Sequence, residues 1–127
     1  MDQVLKIRLS ETVHVDQDKL GALYAELGEN SAEDVVCRAM EELAVRLSHC
    51  SRLHSAGKAD ELRKCVRSLI AISDQIGMLV LARVAHDVIE TLDANDGPAI
   101  AATLARLLRI GEQSLTAIWD LDRKSVV

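Results

Sequence analysis

The sequence has no phenylalanine, and it contains one tyrosine, one tryptophan and one proline. Two aromatic side chains are too few to form a platform on which nucleic-acid bases stack. The net charge of −5 also argues against nucleic acid, because binding to phosphates requires clustered cations. The hydrophobic fraction of 49% comes mainly from Leu, Ala, Val and Ile, which suit packed helices. We therefore expect an all-α protein that does not bind nucleic acid.

Motifs for metal, redox or hydrolytic chemistry are missing as well. Cys37, Cys50 and Cys65 form no CxxC pair and no short cluster with histidine, so we expect reduced thiols that serve the core. No Ser-His-Asp set, glycine-rich phosphate loop, HExxH motif or inward-facing Glu-x-x-His is apparent. The sequence thus predicts no metal, no cofactor and no enzymatic activity.

No apolar run approaches the roughly 20 residues that span a bilayer, and residues 1–12 lack the apolar stretch of a signal peptide. The length of 127 residues fits one domain with its own core. We expect residues 1–127 to form a single soluble, cytoplasmic domain without a membrane partner.

Apolar residues recur every three or four positions, which predicts one short helix followed by four longer amphipathic helices. Asp16 or Asp18 is expected to cap the short helix, and Gly28 to end it. Ser31 is expected to begin a capping box, and the long helix after it to run to about Ser55.

Short turns connect the longer helices, and the run from Asp93 to Pro98 is the clearest break. Short connections favour antiparallel neighbours, so we expect an antiparallel up-down-up-down four-helix bundle with a short additional N-terminal helix. Trp119 is expected to close one end of the core. Residues 1–15 alternate apolar and charged side chains, which indicates an extended arm that lies on the bundle or pairs with a second chain.

The helix predicted over residues 60–77 has two sharply different faces. The inner face consists of residues that share an arc of about 120°: Leu62, Cys65, Val66, Leu69, Ile72, Ser73 and Ile76. The opposite face is polar, with Arg67 near its middle, and also includes Asp60, Arg63, Lys64, Ala71 and Asp74. Ile70 is an exception, because it lies about 60° from Arg67 on the polar side.

The run Arg67-Ser-Leu-Ile-Ala-Ile-Ser-Asp-Gln-Ile-Gly77 resembles the signature of the histidine-containing phosphotransfer (HPt) domain family. Leu69, Ser73, Ile76 and Gly77 match the signature, and roughly residues 18–119 are similar to the order of helices in the family. The resemblance implies a four-helix bundle that acts with receiver domains in bacterial two-component phosphorelays.

Three departures from the signature bear on function. Arg67 stands where the family has its phosphoacceptor histidine, Ile70 replaces a lysine, and Ala71 replaces a glycine. A guanidinium stays protonated and has no available lone pair, so Arg67 cannot accept a phosphoryl group. His86 on the next helix is the alternative phosphoacceptor, although an ordinary solvated histidine is favoured at that position.

The resemblance predicts a non-catalytic module that binds a response-regulator receiver domain or a histidine kinase. One alternative is a structural or self-associating bundle, a homodimer formed through residues 1–15, Ile70 and Leu79. Another is an ordinary solvated face, with Asp60 paired to Lys64 and Arg67 to Asp74. The predicted partner-binding face consists of Arg63, Lys64, Arg67, Ile70, Ala71 and Asp74.

Overall fold

A computed structural model describes the backbone of residues 15–126 and the side chains of residues 15–120. This part of the chain is helical, with no β-strand in it, so the predicted all-α class is confirmed. The helices are α1 (Gln17–Leu27), α2 (Glu29–Ser55), α3 (Ala59–Gln75), α4 (Leu79–Asp93) and α5 (Gly97–Val126). Residues 1–14, most of the predicted arm, lie outside the described residues.

Two helix starts, those of α1 and α5, follow from local sequence. The Asp16 carboxylate accepts a hydrogen bond from the backbone N–H of Lys19 at 3.2 Å, so the predicted cap of α1 is confirmed. The Asp96 carboxylate likewise accepts from the N–H of Ala99 at 3.2 Å, and Pro98 lies in the first turn of α5 as predicted.

The capping box predicted at Ser31 is wrong. Helix α2 already begins at Glu29, and Ser31 is an exposed residue inside it. Gly28, at φ 83°, both ends α1 and precedes the first residue of α2. A glycine can adopt this conformation at little cost, so α2 begins directly after α1, without the extra turn residues that a capping box at Ser31 would need.

The core is aliphatic and is shared by neighbouring helices. Helix α2 packs against α1, α3 and α5, and α4 packs against α3 and α5. The largest fully buried side chains include Leu43 from α2, Leu69 from α3, Val84 and Val88 from α4, and Leu107 from α5. Burial of these side chains is the main favourable contribution to folding.

Trp119 does not close the core as predicted, because 54% of its surface is exposed. Its neighbour Ile118 is the buried residue of that turn, at 2% exposure. Trp119 lies about 100° further round the helix, which takes it off the apolar face of α5.

The turn between α3 and α4 holds the start of the described chain in place. The backbone N–H of Asp16 donates to the carbonyl oxygen of Gly77 at 2.8 Å, and Val15 forms an isolated antiparallel bridge with Met78. Ile76 and Met78, on either side of the glycine, are fully buried. The turn therefore contributes to the core as well as connecting two helices.

Candidate functional site

Helix α3 presents the candidate site on its outer side. Its inner face is as predicted, because Leu62, Val66 and Leu69 are buried, and α3 packs against α2 and α4. On the opposite side, Lys64 and Arg67 are exposed. The strong separation of the two faces positions the charged residues toward solvent.

Two members of the predicted face differ from the expectation. Ile70 is half-buried and packs against the core, and Arg63 is half-buried with its guanidinium paired to the carboxylate of Asp93 in α4. Ile70 and Arg63 lie within about 20° of each other around the helix, next to the buried Val66. Because α3 has neighbours on two sides, this flank faces α4 and is partly covered.

The exposed face is therefore narrower than predicted. Lys64, Arg67, Ala71 and Asp74 remain exposed on it. Within the described side chains, Lys64 and Arg67 form no ion pair, so the predicted pairs of Lys64 with Asp60 and of Arg67 with Asp74 are absent there. Ala71 has a small side chain, so no bulky group protrudes from the surface next to Arg67. Two unpaired cations next to a flat patch are suited to an anionic partner surface.

The side chain of Arg67 suits binding of an anion better than transfer of a phosphoryl group. The Arg67 guanidinium offers five N–H donors in a planar fork and no nucleophilic nitrogen. Helix α3 has no histidine along its whole length. A carboxylate or phosphate on a partner is the natural counterpart of such a fork.

His86, the alternative phosphoacceptor, is exposed on α4. The nearby Asp87 carboxylate pairs with Arg106 of α5 at 3.3 Å and so links the two helices. No described side chain forms a hydrogen bond or an ion pair with His86 that would orient its imidazole.

Among the described residues there is no group of three or more His, Cys, Asp or Glu side chains arranged to hold a metal ion. None of the helices, over the part that the structure describes, combines the length and apolar character needed to cross a membrane.

A cavity of about 110 Å³ lies where the α2–α3 turn meets the α4–α5 turn, lined by Leu53, Leu62, Leu92 and Ile100, with His54 at its edge.

A contact that the sequence reasoning missed joins α2 to α3. The Sγ atoms of Cys50 and Cys65 lie 3.1 Å apart inside the core. The two residues stand at nearly equal distances before and after Gly57, in the turn between the helices. When two consecutive helices run antiparallel, residues at equal distances from the turn lie side by side. The nearly equal spacing of the two cysteines from Gly57 was therefore the sequence signal that could have indicated this contact.

Comparisons of the chain with protein-family models, with curated protein sequences and with solved structures found no match. The resemblance to phosphotransfer domains stays a prediction from the sequence.

Ser73 is fully buried, and its Oγ has no hydrogen-bond partner among the described residues. Replacing Ser73 by alanine removes this unsatisfied hydroxyl, so we expect Ser73→Ala to raise the free energy of unfolding by about 1 kcal/mol. Urea denaturation followed by circular dichroism measures the change.

Thr91→Val is the matched control for Ser73→Ala. The Thr91 hydroxyl lies 3.0 Å from that of Thr103 and donates to the carbonyl of Val88 at 2.8 Å. Its removal should lower the free energy of unfolding by about 1 kcal/mol. A comparable loss in Ser73→Ala would show that its hydroxyl has a favourable partner.

Proposed function

We propose that the chain is a non-catalytic module, similar to histidine-containing phosphotransfer domains, that binds a receiver domain of two-component signalling without carrying phosphate. The observation that carries the proposal is an exposed arginine, Arg67, at the phosphoacceptor position of an otherwise similar helix. Leu69, Ser73 and Ile76, which match the family signature, are buried as a packing face would require. Such a module would sequester a receiver domain or block phosphotransfer to it.

For the architecture, we propose an antiparallel up-down-up-down four-helix bundle of α2 to α5, with α1 as the additional short helix. Consecutive helices contact each other, and α5 also contacts α2, which supports a closed arrangement. The connections, at residues 56–58, 76–78 and 94–96, are short enough to favour antiparallel neighbours.

Charge complementarity gives the proposed interface its specificity. By the family resemblance, the partner presents the acidic phosphorylation site of a receiver domain. Lys64 and Arg67 are exposed and not engaged by a described carboxylate, whereas Arg63 is already paired with Asp93. We therefore assign the main electrostatic contact to Lys64 and Arg67, with Ala71 allowing close approach.

The test is the affinity of the full chain for purified receiver domains, measured by isothermal titration calorimetry. We expect Arg67→Glu to weaken binding at least about tenfold, because it places a carboxylate against an acidic site. Arg83→Glu, which reverses another exposed arginine on α4, is the matched control and should change the affinity by less than about twofold.

Two results would count against the proposal. The first is that no receiver domain binds the wild-type chain, and the second is that Arg67→Glu and Arg83→Glu bind equally well. Incubation with a phosphorylated receiver domain addresses the alternative phosphoacceptor, because label on the chain that disappears in His86→Gln would establish phosphotransfer through His86 instead.

A structural, self-associating role is the second candidate, and exposed apolar side chains favour it. Leu79 has 44% and Val45 has 64% of its surface exposed. Light scattering across a range of concentrations would reveal a homodimer. Its dissociation by Leu79→Glu would favour this role over receiver binding.

A further inference from the structure

The two buried cysteines lie in different helices and touch through their sulfur atoms. Cys50, in α2, is fully buried, and Cys65, in α3, has 4% of its surface exposed. Their Sγ atoms are 3.1 Å apart, and the Cys50 thiol donates a hydrogen bond to the Cys65 sulfur. A disulfide has a bond length of about 2.05 Å, so the sulfurs need to approach by only about 1 Å.

We propose that Cys50 and Cys65 form an oxidation site, in which hydrogen peroxide converts two adjacent thiols of the folded protein into an intramolecular disulfide that joins α2 to α3. The contact between the sulfurs carries this assignment. It does not depend on the charged face of α3, since Cys65 lies on the side of the helix that contacts α2.

The environment gives the two thiols different roles. The hydrogen bond from Cys50 lowers the pKa of Cys65 to about 7, and the positive charge of Arg46 acts in the same direction while burial opposes both. The same hydrogen bond, together with burial, raises the pKa of Cys50. Cys65 is therefore the nucleophile and Cys50 the thiol that reacts second.

The reaction has two balanced steps. The Cys65 thiolate attacks one peroxide oxygen, the O–O bond breaks, and Cys65 becomes a sulfenic acid as hydroxide leaves. The Cys50 sulfur then attacks the Cys65 sulfur, an S–S bond forms, and the hydroxyl leaves as water after taking the Cys50 proton. The two sulfurs lose two electrons in total, and one peroxide takes up these electrons and is converted into one hydroxide and one water.

The exposed Cys37 provides an internal comparison, since it lies in α2 but away from this pair. If exposure alone decided oxidation, Cys37 would react first and the buried pair would stay reduced. If proximity decides, the pair closes first, because two thiols held in contact react as one unit.

The experiment uses the folded full chain, treated with hydrogen peroxide, alkylated and digested with trypsin. Cleavage after Arg46, Arg52, Lys64 and Arg67 places Cys50 in the peptide 47–52 and Cys65 in the peptide 65–67. We expect mass spectrometry to find these peptides linked, with two hydrogens lost, and dithiothreitol to separate them. Prior unfolding in urea should slow the linkage by roughly tenfold or more.

The variants Cys37→Ser, Cys50→Ala and Cys65→Ala complete the design. Cys37→Ser should form the link at the wild-type rate, whereas either alanine variant should form none. Circular dichroism establishes that each variant is folded, and either alanine variant suffices if the other fails to fold. The proposal is overturned if Cys37 is oxidised while peptides 47–52 and 65–67 stay unlinked, or if unfolding leaves the rate of linkage unchanged.

Discussion

Leu69→Ala is expected to lower the free energy of unfolding by about 3 kcal/mol, because it removes a large side chain from the core. Leu69 is fully buried in α3, directly beneath the exposed face. Truncation removes apolar atoms from the centre of the core and leaves a cavity that closely packed neighbours fill only in part. Urea denaturation, monitored by circular dichroism, measures the loss.

Leu79→Ala is the matched control for this prediction, since it truncates the same side chain where 44% of the surface is exposed. It should lower the free energy of unfolding by less than about 1 kcal/mol. Equal losses in the two variants would mean that Leu69 is not a core residue, and the described packing of α3 would then be wrong.

The all-α class was predictable from sequence, and so were the inner face of α3 and the starts of α1 and α5, because these features obey local rules. The inner face of α3 follows from the helical period alone, since six of its seven predicted members are buried and Ile72 is half-buried. The cap at Asp16 and the break before Pro98 required only short-range hydrogen bonding and backbone preferences. Such features need no knowledge of neighbouring helices.

The parts that were not predictable depend on contacts between helices. Ile70 and Arg63 were assigned to the exposed face, but they lie on a flank that α4 partly covers. A helical projection gives the direction of a side chain, and it does not give the number of neighbours that surround the helix. The contact of Cys50 with Cys65 also joins two helices, and it was missed although the nearly equal spacing of the two residues from Gly57 indicated it.

The candidate site likewise has one property that follows from residue chemistry and another that depends on contacts between helices. The inability of Arg67 to accept phosphate follows from its side-chain chemistry, whatever the fold. The extent of the exposed face does depend on the fold, and of the predicted members only Lys64, Arg67, Ala71 and Asp74 are exposed in the structure. The chemistry of Arg67 was therefore predictable from sequence. The limits of the exposed face of α3 were not, because they depend on how α2 and α4 pack around this helix.

Gly77→Ala is expected to lower the free energy of unfolding by about 3 kcal/mol through two separate costs. The first is backbone strain of about 1–2 kcal/mol, since Gly77 has φ +76°. The second is steric, because an added Cβ would lie 3.0 Å from both the Cβ and the carbonyl oxygen of Asp16. Backbone cannot rotate away as a flexible side chain does, so the segment that begins at Val15 must shift.

Gly57→Ala separates the two costs. Gly57 has φ +71° and likewise follows a helix, but an added Cβ would meet nothing within 4 Å. We expect Gly57→Ala to cost about 1 kcal/mol, the backbone strain alone. The difference between the two variants, measured by urea denaturation, then reports the contact of the α3–α4 turn with Asp16. Equal losses would show that the contact contributes nothing and that Gly77 is needed only for its conformation. A larger loss for Gly77→Ala would give this glycine a second role besides its backbone conformation, which is to let Val15 and Asp16 pack against the turn after α3.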